Sequence, residues 1–232
     1  MFRKTVVMLI AGMLIVTAAQ SASAAKPAAP KAPAAKKAAA PKADAIVDSL
    51  FKKTAELKTY KFFFDYFVPK TDKVKGESRT CDFWYSGPGY LRLVVTDGDD
   101  KGSQVVYNEE KNDKAVKAKQ SYMPIAISVK KNDPRLEGFF VSDWNSDVKE
   151  IKKFTSGAKP ILAGEEKIKD RVGYKVVFDG LKGEFDKVII WIDKKDSVLL
   201  QYEYYLGGPL KQRKTWYNYD LNPAITNADF KI

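Results

Sequence analysis

The spacing of hydrophobic and polar positions along this chain changes period several times, and each change marks an element. Residues Thr5 to Ala19 form an uninterrupted apolar run, and Ala25 to Ala43 are almost nothing but Ala, Lys and Pro. Apolar positions then recur at three- and four-residue spacing: Ile46, Val47, Leu50, Phe51, Thr54 and Leu57. That spacing predicts an amphipathic helix that lays its stripe on a sheet, with Asp44 as its N-cap.

Past Leu57 the period drops to two, the signature of a strand with one buried face. Tyr60 to Val68 sets Phe62, Phe64 and Tyr66 against Lys61 and Asp65. After the turn-like Thr71–Gly76 segment, Thr80 to Tyr85 alternates again, grouping Cys81, Phe83 and Tyr85. Ser86-Gly87-Pro88-Gly89 reads as a turn, Tyr90 to Thr96 as a strand carrying Leu91, Leu93 and Val95, and Gln104 to Tyr107 as a shorter one. Together these make a β-meander.

The middle of the chain loses regular period. Residues 109–120 are polar and lysine-rich, and Tyr122 to Ile127 and Phe139 to Val141 are apolar patches that read either as a lid or as loops packed on the sheet. A second helix is predicted from about Asp143, with Trp144, Val148 and Ile151 on one face and Gly157 as its stop. A second meander follows. Gly173 to Asp179 aligns Tyr174, Val176 and Phe178, and Lys187 to Asp193 aligns Val188, Ile190 and Ile192. Ser197 to Leu206 aligns Val198, Leu200, Tyr202 and Tyr204, and Lys211 to Leu221 aligns Tyr217, Tyr219 and Leu221 against Arg213.

Charge and chemistry then sharpen the organisation. Arg3 and Lys4 precede the apolar run, and Ala22-Ser23-Ala24 closes it with the small residues that signal peptidase requires. Residues 1–24 therefore read as a secretory signal peptide cleaved after Ala24; a retained anchor is the alternative. The run is about 15 residues, short of the ~20 that span a bilayer as a straight helix. Residues 25–43 read as an extended Ala/Lys/Pro-rich disordered tether, either a solvated spacer or a basic arm for an anionic surface. Residues 44–232 are left as one domain with a real core.

The chain holds 40 Lys and Arg against 29 Asp and Glu, a net charge of +11. Seven of those basic residues and none of the acids fall in residues 1–43, so the remainder carries only +4. That weak surplus, with export, excludes nucleic acid as the partner. A single cysteine, Cys81, cannot form an internal disulfide and sits in a strand pattern as a small core residue.

Histidine is absent, which removes Ser-His-Asp and Cys-His arrangements and histidine-containing zinc sites. No phosphate-cradling glycine motif follows a strand. Asp97, Asp99 and Asp100 lie in a turn without the spacing of a calcium loop, and read as solvated turn acids. The expectation is a protein that is not an enzyme, with no catalytic residue, no cofactor and no metal.

Several segments resemble the bacterial periplasmic lipoprotein carriers of the LolA/LolB type, outer-membrane lipoprotein-sorting proteins. Ile190-Trp191-Ile192-Asp193, a turn, then Val198-Leu199-Leu200 and Tyr202 is similar to that family's Trp-Ile-Asp hairpin. Asn222-Pro223-Ala224-Ile225 leading to Asp229-Phe230-Lys231-Ile232 resembles its closing segment, Leu57-Lys58-Thr59-Tyr60 its entry, and Ser86 to Arg92 its proline turn. Two positions depart: Gly87 stands where the carrier has arginine before the turn proline, and Lys194 to Ser197 replace its glycine-proline turn.

The resemblance implies a mainly β (α+β) fold, a curved antiparallel half-barrel sheet capped by helices around an apolar cavity for acyl chains. It implies a periplasmic monomer that shields the acyl chains of lipoproteins or lipids between inner and outer membranes, with membrane proteins as possible partners. An envelope-tethered regulatory or structural module of the same fold, binding a protein partner, is the alternative. The inward strand faces name the residues expected on the cavity wall: Phe62, Phe64, Phe83, Tyr85, Leu91, Leu93, Tyr174, Val176, Phe178, Ile190, Ile192, Tyr202 and Tyr204. Aromatic walls bury much apolar area against flexible chains, although inward aromatics of a sheet equally serve as plain core.

Overall fold

The computed structural model describes residues 41–87, 89–110, 116–133 and 136–232. The signal peptide, nearly all of the tether and Pro88 of the first proline turn lie outside the described residues.

Period-two segments become the strands β1 (Thr59–Val68), β2 (Glu77–Ser86), β3 (Tyr90–Gly98) and β4 (Gln104–Asn108). They continue as β5 (Val116–Lys119), β6 (Ile127–Val129), β7 (Ile161–Ile168), β8 (Arg171–Asp179), β9 (Lys187–Asp193), β10 (Leu199–Tyr205) and β11 (Leu210–Leu221). All pairs are antiparallel, and the strands lie in the order β6-β5-β4-β3-β2-β1-β11-β10-β9-β8-β7. The two meanders are thus halves of one sheet, joined where β1 pairs with β11 (Phe64 opposite Trp216). The sheet stays open, with β6 and β7 as its edges. It is also coiled far from flat. Four spacings separate β1 from β8, about 19 Å in a flat sheet, yet Lys169 in the β7–β8 turn reaches Asp65 of β1 at 2.8 Å.

Among the described residues three α-helices accompany the sheet, α1 (Ala43–Glu56), the short α2 (Glu137–Phe140) and α3 (Trp144–Phe154), with a 3-10 turn at Asn227–Asp229. The stripe of α1 buries Ile46, Val47, Leu50 and Thr54, and α3 buries Trp144, Val148 and Ile151. Asp143 caps α3 by accepting from Asn145 N (2.9 Å) and Ser146 N (3.2 Å), and Gly157 (φ +77°) ends the segment. At α1 the expected cap is corrected. The helix starts at Ala43, Lys42 occupies the cap position without a side-chain bond, and Asp44 sits inside the first turn. There its charge faces the positive end of the helix dipole.

Four elements have no counterpart in the sequence reading: β5, β6, β7 and α2. Each is short or at an edge, so little burial pattern is written into it. β7 shows the reason well, since all its residues but Leu162 and Ile168 are exposed and Gly164 (φ +127°) interrupts its pairing. The phase of β11 also needs correction. An extra residue on β11, opposite the Lys61–Phe63 step of β1, coincides with Asn218 at φ +48°. A bulge of this kind flips alternation between its two sides. Tyr219 and Leu221 pack on the main core, whereas Tyr217 lies on the other face with its hydroxyl donating to Asp65 (3.0 Å).

Candidate functional site

The inner face of the sheet carries the apolar parity of nearly every strand, and its two halves are covered differently. Over β8–β11 and β1 the helices seal it. The Trp144 ring packs against Phe62 (4.8 Å between centroids) and Tyr60 (5.2 Å), and its indole N–H donates to Leu199 O (3.2 Å). Phe154 meets Tyr204 edge-on at 5.4 Å, and Phe185 stacks on Tyr204 at 4.6 Å. The Tyr60 hydroxyl donates to Asp143 (3.3 Å), tying β1 to the start of α3.

Over β2–β6 the cover includes the short α2, seated on β4 by Phe140 against Tyr107 (5.4 Å). A cleft of about 630 Å³ remains beneath it. Its sheet wall is built by Phe64, Cys81, Leu93, Val95, Val105, Ala118, Ile127 and Val129, and its opposite wall by Leu136, Phe139 and Val141. The volume lies within the range of about 300–1,000 Å³ usual for small-molecule sites. Burial pushes the Cys81 thiol up to about 12, so it contributes only bulk.

All thirteen residues named from strand parity lie on the inner face and join one core cluster, with Tyr85, Leu93 and Tyr174 only partly buried. The cleft gathers three of them: Phe64, Leu93 and Tyr202. Phe62, Phe83, Tyr85, Leu91, Tyr174, Val176, Phe178, Ile190, Ile192 and Tyr204 are placed in the packed core instead.

The least expected feature of the cleft is a buried ion pair. Lys214 Nζ lies 2.6 Å from Asp147 Oδ2, with side-chain exposures of only 4% and 5%, and both residues line the cleft. The ammonium also donates to Ser142 O (3.1 Å) and sits 4.5 Å from the Phe64 ring centre and 5.1 Å from that of Trp216. Burial pushes the Asp147 carboxyl up to about 7 against the lowering pull of Lys214. Two other cleft residues, Gln212 and Tyr202, are hydrogen-bonded side chain to side chain. The cleft therefore joins apolar walls to polar ones: besides the wall of the ion pair, Glu77, Arg79, Asp100, Gln104 and Lys119 also line it. Sequence reasoning missed that wall, although reading alternation back from Trp216 puts Lys214 and Gln212 on its face.

The turn acids near the cleft are occupied. Asp97 pairs with Lys101 (3.1 Å), Asp99 accepts from Ser78 N (2.9 Å) and Asp100 pairs with Arg79 (2.8 Å).

No family model matches the chain, and no curated protein matches it. Solved structures do. MucB is similar over 82% of this chain at 12% identity with a TM-score of 0.50; the chain spans 62% of MucB. The Mycobacterium tuberculosis lipoprotein LppX matches 79% of this chain and 97% of its own length at 14% identity, TM-score 0.48. The LolA superfamily protein NE2245 from Nitrosomonas europaea matches 83% of this chain and 99% of its own at 11% identity, TM-score 0.38. At such identities what the chain shares is the fold. The fold shared with MucB is an open antiparallel sheet with few helices, the architecture that the sequence resemblance implies.

Proposed function

We propose that this protein is a non-enzymatic carrier, acting in the periplasm, that shields the acyl chains of a lipid or lipoprotein in the cleft between β2–β6 and α2. The observation that carries this reading is the cleft itself: a trough of about 630 Å³ on the inner face, with an apolar floor and polar residues around it. Each buried methylene contributes about 0.8 kcal/mol, so ten would supply about 8 kcal/mol before ordering costs. That supports useful affinity without any reacting group. The N-terminal signal supports export, and a lipid carrier is needed where acyl chains must cross water.

The test is binding of a fluorescent fatty-acyl probe to detergent-free protein, with mass spectrometry of co-purifying lipid. Ala118→Trp and Val129→Trp should fill the cleft and abolish probe binding. Undiminished binding in both folded variants, or no binding by the wild type, overturns the reading.

The second reading is an envelope module that binds a protein partner. It is supported by the fold shared with MucB, which has been solved in complex with MucA(peri). It predicts an empty cleft and a wild-type protein indifferent to the acyl probe.

A further inference from the structure

The tip of the β5–β6 hairpin leaves its largest apolar side chains in solvent. Tyr122 is 79% exposed and Ile125 69%, and the neighbouring Ile127 (41%) and Val141 (53%) extend the patch. Large apolar side chains grouped in solvent at one tip mark a surface that meets a partner. Its position is specific. Met123, Ile127 and Val141 line the cleft, whereas Tyr122 and Ile125 do not, so the tip stands at the cleft mouth and points away from its interior.

The strands of the tip are basic, while the β3–β4 turn, whose Gly102 packs on Ser121, carries Asp97, Asp99 and Asp100, held by Lys101, Ser78 N and Arg79 respectively. Residues 116–133 hold Lys117, Lys119, Lys130 and Lys131 and one acid, Asp133. Lys119 lies at the base of the tip, and Lys117 two residues back along β5. Lys131 donates to the Tyr107 hydroxyl (2.8 Å) and lies over its ring (4.6 Å to the centre). On the facing rim, Glu77 and Asp100 are both taken up by Arg79 at 3.0 and 2.8 Å.

We propose that this tip docks on an anionic lipid bilayer, with Tyr122 and Ile125 in the headgroup–acyl boundary and the lysines against the headgroups. A small convex tip offers no groove for a peptide. A tyrosine and an isoleucine above a basic collar suit an interface that is apolar inside and negatively charged outside. Docking would bring the cleft mouth to the bilayer, so an acyl chain passes without crossing water; in that consequence the proposal rests on the carrier reading.

The experiment uses the full chain with Ser121→Cys carrying a polarity-sensitive dye, Cys81 being buried. The dye reports immersion of the tip itself, so adhesion through the basic N-terminal segment does not imitate it. Vesicles containing phosphatidylglycerol should shift the dye emission, and pure phosphatidylcholine vesicles should not. Tyr122→Ser/Ile125→Ser should abolish the shift, and Lys117→Gln should weaken it roughly 5-fold. Both variants should keep wild-type binding of the soluble acyl probe, so failed docking and a failed carrier reading give different results. An unshifted dye on anionic vesicles, equal shifts on both vesicle types, or a shift that follows protein concentration alone overturns the proposal.

Discussion

Replacing Lys214 by methionine keeps the side chain as far as Cε and removes its charge, leaving Asp147 as a carboxylate only 5% exposed and without its cation. Breaking a buried pair from one side costs about 3–5 kcal/mol, because the remaining charge loses its compensation. The cleft lets some water approach, which favours the lower end, about 3 kcal/mol. For a domain of this size that lowers Tm by roughly 6–12 °C. The effect carries a pH signature. The Asp147 carboxyl is already raised to about 7 with Lys214 present. Without the ammonium it rises further, so protonation relieves the variant more fully at pH 6 than at pH 8. Thermal melts at those two pH values, with the double variant Lys214→Met/Asp147→Leu, test the reasoning. The double variant should recover most of the loss. A drop below 2 °C at pH 8, equal drops at both pH values, or a double variant no more stable than the single one would refute it.

Four further outcomes are expected. Because the folded-state value of Asp147 lies above the ordinary 3.8, its contribution to stability is full below about pH 4 and lost as pH rises through about 7. Chemical unfolding of the wild type should show a decline of at most about 1.4 kcal/mol per pH unit in that window, and Asp147→Asn should flatten it. Gly98→Ala should destabilise by roughly 1–3 kcal/mol, measured by urea unfolding, because Gly98 has φ +81° and a Cβ there would sit 2.1 Å from Ser78 O. Asp143→Ala removes the acceptor for Asn145 N, Ser146 N and the Tyr60 hydroxyl, and should lower stability by about 1–2 kcal/mol. Cys81, buried with its thiol pushed up to about 12, should react with a maleimide only as fast as the domain opens; rapid labelling of native protein would contradict its place in the core.

The inner face of the sheet was legible because strand parity is local. Phe62 and Phe64, Val176 and Phe178, Ile190 and Ile192, and Tyr202 and Tyr204 announce their side by spacing alone, and each lies in the core. The stripes of α1 and α3 and the Asp143 cap are equally local signals. Where the free space falls on that face is not local. It depends on Trp144 and Phe154 filling one half and on α2 leaving the other open, contacts between residues far apart in sequence. That is why only Phe64, Leu93 and Tyr202 of the named residues reach the cleft.

The strands at the edges were illegible for a related reason. β5, β6 and β7 are defined by hydrogen bonds to a neighbour more than by burial, so their side chains carry little alternation. The Lys214–Asp147 pair joins positions 67 residues apart, and the bulge at Asn218 shifts the phase of β11 around it. Periodicity in the sequence determined the helices, the two meanders and which face is apolar, and the resemblance implied the half-barrel they build. Tertiary structure decided where that face stays open and placed a buried charge pair at its wall, since both depend on how distant segments pack.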